Sequence, residues 1–195
     1  MKTFIKTGTL VIVTATAMLT GFESCKSKKE TIQNQTGAVE ITLPFSDKKY
    51  KSDEDNFRSK QLGKSPDLAA AKKIAMQNAK SEMAGNIQTT LKKVTDQYTN
   101  QRTIGNKQDF ENKFEELSRE VTNQQLVDVQ LMDEKIFKEP DGGYTYWVVI
   151  QCSKKAIQDG VDQKISKDAK LQVDYDKKKF QEVFDSEMKK LANEQ

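Results

Sequence analysis

Ser65-Pro66-Asp67-Leu68-Ala69-Ala70-Ala71-Lys72-Lys73-Ile74-Ala75-Met76-Gln77-Asn78-Ala79-Lys80-Ser81-Glu82-Met83-Ala84 opens the longest periodic stretch of the chain, which runs on to Tyr98. Ser65 fits an N-cap, Pro66 the first helical position where a missing N–H costs nothing, and Asp67 the positive end of the helix dipole. Leu68, Ala71, Ala75, Ala79, Met83, Ile87, Leu91, Val94 and Tyr98 recur every three or four residues. That spacing predicts one long helix with a single apolar stripe. Its first half is alanine, which permits close approach of a sheet or a second helix. Gly85-Asn86 is its weak point, because glycine inside a helix costs roughly 1 kcal/mol relative to alanine.

Outward from this helix the period changes. Val39, Ile41, Leu43 and Phe45 alternate with Glu40, Thr42 and Pro44, which predicts a half-buried strand ending, or lying at a sheet edge, at Pro44. The polar stretch Ser46–Lys64 reads as a long loop, with Phe57 and Arg58 inside it as candidate partner contacts. After the Gly105-Asn106 break, Phe110, Phe114, Leu117 and Val121 mark a second amphipathic helix. Val127, Val129 and Leu131 begin a strand continuing toward Phe137, and Pro140-Asp141-Gly142-Gly143 supplies a turn. Tyr144–Cys152 returns as a strand apolar on both faces, so it belongs in the middle of the sheet. Tyr144, Tyr146, Val148, Ile150 and Cys152 share one face; Trp147 and Val149 share the other. Trp147 is read as core, with ligand stacking as the alternative. The rest is helical, with one stripe at Ala156, Ile157, Val161 and Ile165 and another at Phe180, Val183, Phe184, Met188 and Leu191. Lys177-Lys178-Lys179 is a solvated helix start with acidic residues on both sides. The expected fold is α+β: a small antiparallel sheet of about three strands against a long N-terminal helix, with a helical C-terminal segment.

The start of the chain gives an address. Lys2 and Lys6 are followed by an uncharged, largely apolar run from Gly8 to Gly21, then Phe22-Glu23-Ser24-Cys25 and the polar Lys26-Ser27-Lys28-Lys29. This is the layout of an export signal, and the run falls short of the roughly 20 apolar residues a membrane span needs. The expected organisation is a cleaved lipoprotein signal over residues 1–24, lipid attachment at Cys25, a flexible tether over 25–37 and one domain over 38–195, its helical extension beginning near 154. Ordinary cleavage near the same point is the alternative. Two or more acyl chains, at about 0.8 kcal/mol per buried CH₂, hold a protein on a membrane stably. The basic segment after Cys25 favours an outer-membrane anchor facing the periplasm.

Composition excludes more than it assigns. The chain has 195 residues and no histidine, so Ser-His-Asp and Cys-His nucleophilic pairs and histidine-ligated zinc or iron sites are impossible. Its two cysteines, Cys25 and Cys152, leave no internal disulfide if the first is acylated; Cys152 reads as a small core residue. Nine glycines form no phosphate-cradling loop. Lysines and arginines (32) nearly balance aspartates and glutamates (29) and are interspersed with them, so no nucleic-acid footprint is present. No catalytic, cofactor-binding or metal-binding residue is singled out.

Cys25 after an export signal, the alanine-rich helix Ala69–Ala84 and the hairpin ending Tyr144-Thr145-Tyr146-Trp147-Val148-Val149 together resemble the twenty-kilodalton lipoprotein family, with a signal of the Bacteroidota type. The same plan is similar to the N-terminal module of a periplasmic flagellar assembly protein. The resemblance covers about Glu40 to Ala156. It implies an α+β envelope lipoprotein and carries over no catalytic residues.

Three functional classes follow. The first is a non-catalytic, membrane-anchored interaction or scaffolding protein that holds an envelope partner through the long loop or an open sheet edge. The alternative is a periplasmic module for a small apolar or glycan ligand, using the aromatic side chains near Tyr144–Trp147. The third is a carboxylate enzyme acting on peptidoglycan, which would need two carboxylates about 5–10 Å apart across a cleft.

Overall fold

A computed structural model describes residues 39–194. The export signal, Cys25 and the tether lie outside the described residues. The elements run β1 (Asn56–Ser65), α1 (Leu68–Asn100), α2 (Lys107–Gln125), β2 (Gln130–Lys138), β3 (Tyr144–Ser153), α3 (Lys154–Ile165), α4 (Ala169–Asp174) and α5 (Lys177–Glu194). The three strands form one antiparallel sheet in the order β1-β3-β2. The fold class is α+β, with the long helix packed on the sheet.

Two expectations about the first strand are corrected. Residues 39–43 form no regular structure, and Val39 and Ile41 are 82% and 77% exposed. Both places beside β3 are filled by β1 and β2, and the alternating stretch pairs with neither outer edge. The polar stretch read as a loop supplies β1 instead. Phe57, Ser59 and Gly63 are its buried positions, opposite Cys152, Ile150 and Tyr146. Of these only Phe57 is a large apolar side chain, and Arg58, Lys60 and Gln61 stand between them. A strand on the rim of a sheet tolerates such polarity, which is why the hydrophobic pattern missed it.

The small residues on β1 have a cause. A methyl group built at Gly63 would lie 2.3 Å from the Ala71 carbonyl oxygen and 2.5 Å from the Ala75 nitrogen. Helix and strand backbones therefore meet at this point, and Ala71, Ala75 and Ala79, all fully buried, line the contact. Hydrogen bonds fasten it: Ser59 Oγ donates to Glu82, and Asn78 Nδ2 donates to the Leu62 carbonyl at 2.9 Å. The helix starts later than expected. Asp67, not Ser65, is the N-cap, its side chain accepting from the Ala70 N–H at 2.7 Å, while Ser65 Oγ accepts from the Asp67 N–H at 3.2 Å. Pro66 thus precedes the cap. Gly85 lies on the exposed side and does not interrupt the helix.

Beyond Met83 the stripe changes partners from sheet to helices. Ile87, Leu91, Val94 and Tyr98 join one core with Phe110, Phe114 and Val121 of α2, Ile157, Val161 and Ile165 of α3, Leu171 of α4, and Phe180 and Phe184 of α5. Tyr98 is the hub: its ring stacks on Phe110 at 6.0 Å and meets Phe180 edge-on at 5.7 Å. Its hydroxyl donates to the Asp174 carbonyl and accepts from the Asp176 N–H, each at 2.7 Å. Asn106 caps α2 and Ser153 caps α3. Gly160 is explained by packing, since a methyl there would lie 2.9 Å from Val121 Cγ1. The C-terminal helices therefore close the core that the long helix opens. Val127, expected in a strand, stands outside β2 and is exposed. Cys152 is buried as expected, and burial pushes its thiol up to about 11.

Two glycine substitutions should separate contact from propensity. Gly63→Ala should destabilise the protein by about 1–3 kcal/mol, because a methyl has to be forced between two backbones. Gly85→Ala, with open space around it, should stabilise by up to about 1 kcal/mol. Chemical denaturation of both variants checks the pair; an innocuous Gly63→Ala would mean that α1 does not sit this close.

Candidate docking edge and outer sheet face

β2 pairs with β3 on one side, and its other edge is open. α1 lies over β1 and β3, so β2 escapes the cover of the helix. Leu131, Ile136 and Phe137 are 48%, 49% and 45% exposed. Register assigns their faces. Glu134 and Ile136 stand opposite Val148 and Tyr146, on the α1 side; Lys135 and Phe137 stand opposite Trp147 and Thr145, on the outer side. A bulge shifts the ladder between Leu131 and Asp133, and from Asp133 to Lys138 the pairing is regular. Exposed apolar side chains thus flank an unpaired backbone edge on both faces.

Two phenols hold this strand, one from each face. The Tyr50 hydroxyl donates to Asp133 Oδ2 at 2.5 Å, and the Tyr146 hydroxyl donates to Glu134. Lys72 Nζ reaches Glu134 Oε2 at 3.3 Å. The hydrogen bond from Tyr50 holds the Asp133 carboxyl below its ordinary value, and the bond from Tyr146, then Lys72, does the same to Glu134. Burial, reinforced by the Glu134 bond, pushes the Tyr146 phenol up. Both carboxylates are charged at neutral pH and already engaged as acceptors.

The outer face is partly roofed by the segment before β1. Phe45 and Tyr50, 4.8 Å apart edge to face, pack over Val149 with Met132 and Trp147 beside them. Phe45 has φ 60°, a left-handed conformation disfavoured for a bulky residue. Its burial and the Lys60 Nζ bond to its carbonyl at 3.1 Å offset that cost. Lys135 Nζ lies 5.0 Å above the Phe45 ring.

The residues expected to touch a partner or ligand fare differently. Phe57 is fully buried against the core; that expectation is corrected, since polar neighbours hid an inward-facing strand position. Arg58 is mostly buried and pinned by Asp53 at 2.5 Å, the Lys51 carbonyl at 2.7 Å and Gln151 at 3.4 Å. It fastens the roof segment to the sheet. Trp147 remains partly exposed on the outer face, between Leu62 and Lys135 on the flanking strands. Cys25 is outside the described residues. The stretch Glu134–Lys138 was passed over, although adjacent Ile136 and Phe137 in a strand put apolar side chains on both faces, a signal that one of them stays uncovered.

Two polar grooves lie among the helices. One of about 390 Å³ between α1 and α2 is lined by Lys92, Thr95, Asp96, Glu111, Glu115 and Arg119. A smaller one of about 270 Å³ between α3 and α5 holds Asp162, which accepts from the Tyr175 hydroxyl at 2.6 Å and pairs with Lys177 at 2.8 Å. A general acid needs a carboxyl held up toward neutrality. Among the described residues each carboxyl with a shifted value is held down: Asp53, Asp133, Glu134, Asp168 and Asp176. No cluster of three or more acidic or cysteine side chains suited to a metal ion, and no helix long and apolar enough to cross a membrane, occurs among the described residues. No family model matches the chain, and no curated protein matches it.

The Tyr50–Asp133 bond predicts an acid-dependent loss. An aspartate lowered in the folded state stabilises above its unfolded value of about 3.9 and loses that contribution as pH falls through the folded value. Tyr50→Phe should therefore lower Tm at pH 7 and converge on the native chain as pH falls through the lowered folded value of Asp133. A Tm deficit unchanged at low pH would assign the effect to packing instead.

Proposed function

We propose that this chain is a non-catalytic envelope lipoprotein whose domain holds a partner through the open β2 edge and the adjoining outer face. The observation that carries the reading is the exposure of β2: a strand paired on one side, left outside the helix's cover, with three large apolar side chains half in solvent. Sheet edges of this kind accept an added strand, because the unpaired N–H and C=O groups supply hydrogen bonds while alternate side chains supply specificity. The export signal and Cys25 support the anchored location.

A second reading, a module for a glycan or small apolar ligand, is favoured by Trp147, which stays partly exposed beside Leu62 on the outer face. Trp147 is the only tryptophan, so its fluorescence reports directly on that reading. A saturable spectral change with cell-wall sugars would move it ahead.

Two variants test the leading proposal. Cys25→Ala should release the protein to the soluble fraction with Tm unchanged. Ile136→Lys with Phe137→Lys, in the anchored chain, should abolish crosslinks made from β2 in membranes while stability moves by about 0.5 kcal/mol per site, as for exposed positions. Crosslinks that survive the double lysine variant would show that the edge is not the docking site.

A further inference from the structure

We infer that the occupant of the β2 edge is a second copy of this chain, joined antiparallel about a two-fold axis through Ile136. The inference rests on the docking role proposed above and names the partner. It comes from testing the strand against itself.

Extending an antiparallel sheet by a two-fold axis requires the axis to stand perpendicular to the sheet. Each face then continues as the same face in the partner copy. Side chains directly opposite one another share a face and interact, and opposite charges there attract while like charges repel. Only registers centred on a residue satisfy this face rule, so a few candidates remain within the regular stretch Asp133–Lys138. A centre at Asp133, Glu134 or Lys135 sets that charge against its own copy. A centre at Phe137 places Ile136 opposite Lys138 and runs Lys135 onto Glu139, past the end of the strand.

The centre at Ile136 differs from all of these. It places Ile136 against Ile136, and on the same face Glu134 against Lys138 twice. On the outer face it places Lys135 against Phe137 twice. Each pair from Glu134 to Lys138 is then apolar with apolar, acid with base, or cation with aromatic ring, and beyond them Asp133 falls opposite Glu139, just past the end of the strand. Ile136 and Phe137, half exposed in the single chain, are covered together. The Lys138 side chain, which has no ion pair or hydrogen bond among the described residues, meets the Glu134 carboxylate, which is held charged. The bulge between Leu131 and Asp133 lies outside the paired stretch.

The product is a six-stranded sheet, β1-β3-β2-β2-β3-β1, with both long helices on one face. A joint of about five residues per strand is small against interfaces that hold firmly in solution, which bury about 1,200–2,000 Å². Pairing should therefore be weak in dilute solution and strengthened where anchoring confines the chains to a surface. Membranes are accordingly the place to measure it.

The experiment is disulfide trapping of the full chain in membranes of cells producing it. Ile136→Cys should form a dimer on mild oxidation. Leu131→Cys should not, because this register places the two Leu131 residues ten positions apart, about 34 Å along the strands. The Leu131→Cys chain carries the same Cys25 and Cys152 and so controls for them. Matched Tm values establish that both variants fold. Lys138→Glu added to Ile136→Cys should cut trapping about tenfold, and Lys138→Arg in its place should keep it, with matched Tm values for both. Absence of the Ile136→Cys dimer overturns the inference, as does equal trapping at Leu131→Cys. If a photoactivatable side chain at position 136 crosslinks instead to a different envelope protein, self-pairing is wrong and the docking role of the edge stands; if that side chain crosslinks to nothing, both fall.

Discussion

The structure depends on a contact with no side chain on one side of it. At Gly63 the backbone of β1 comes so near Ala71 and Ala75 of α1 that a single added methyl would overlap both a carbonyl oxygen and an amide nitrogen. Helix and sheet usually pack through interdigitated side chains. Here the first half of α1 carries only alanines on its inner stripe, so the helix sinks onto β1 and β3. That depth has a consequence at the far side of the sheet. A helix seated deeply on two strands leaves the third uncovered, so Leu131 and Ile136 stay exposed on the helix side, while the edge of β2 is open because it ends the sheet.

The same helix also joins the sheet to the helical part. At 33 residues it is about 50 Å long, and its stripe changes from alanine to Ile87, Leu91, Val94 and Tyr98 where its neighbours change from strands to helices. Buried polar groups along this half are small and satisfied locally. Thr95 Oγ1 donates to the Leu91 carbonyl, and Thr122 Oγ1 of α2 donates to the Ser118 carbonyl. Glu187, almost wholly buried on α5, accepts from Gln97 of α1 and from Lys190, each at 2.6 Å. A buried carboxylate left unpaired would be costly; two charge-assisted partners make this one a tie between helices.

What was legible in the sequence follows from how packing writes into it. α1, α2, α5 and the central strand β3 bury long, regular rows of apolar residues, and their stripes stand out. β1 could not be read in that way. Its inward positions are Phe57, Ser59 and Gly63 because the helix leaves room for little else, and its rim position lets lysines alternate with them. The stretch Val39–Phe45 shows the converse error: period-two alternation is present, but the sheet has no vacant place next to β3. Gly160 inside α3 is set by Val121 packed against it, a contact no sequence pattern shows. The open edge of β2 was the least visible, since a strand half covered on each face resembles an ordinary amphipathic one.

In this account a deeply seated helix covers two strands and leaves the third open. Amide hydrogen exchange followed by NMR in dilute protein tests this most directly. The account predicts that the β1 amides bonded to β3, the amides of β3 and residues 71–83 of α1 exchange slowest and together, while every second amide of β2 exchanges fast. Uniform protection along β2 in the dilute single chain would contradict it, because something within the protein would then be covering the edge. So would exchange in residues 71–83 that outpaces the sheet, because the helix would then not be the element holding it.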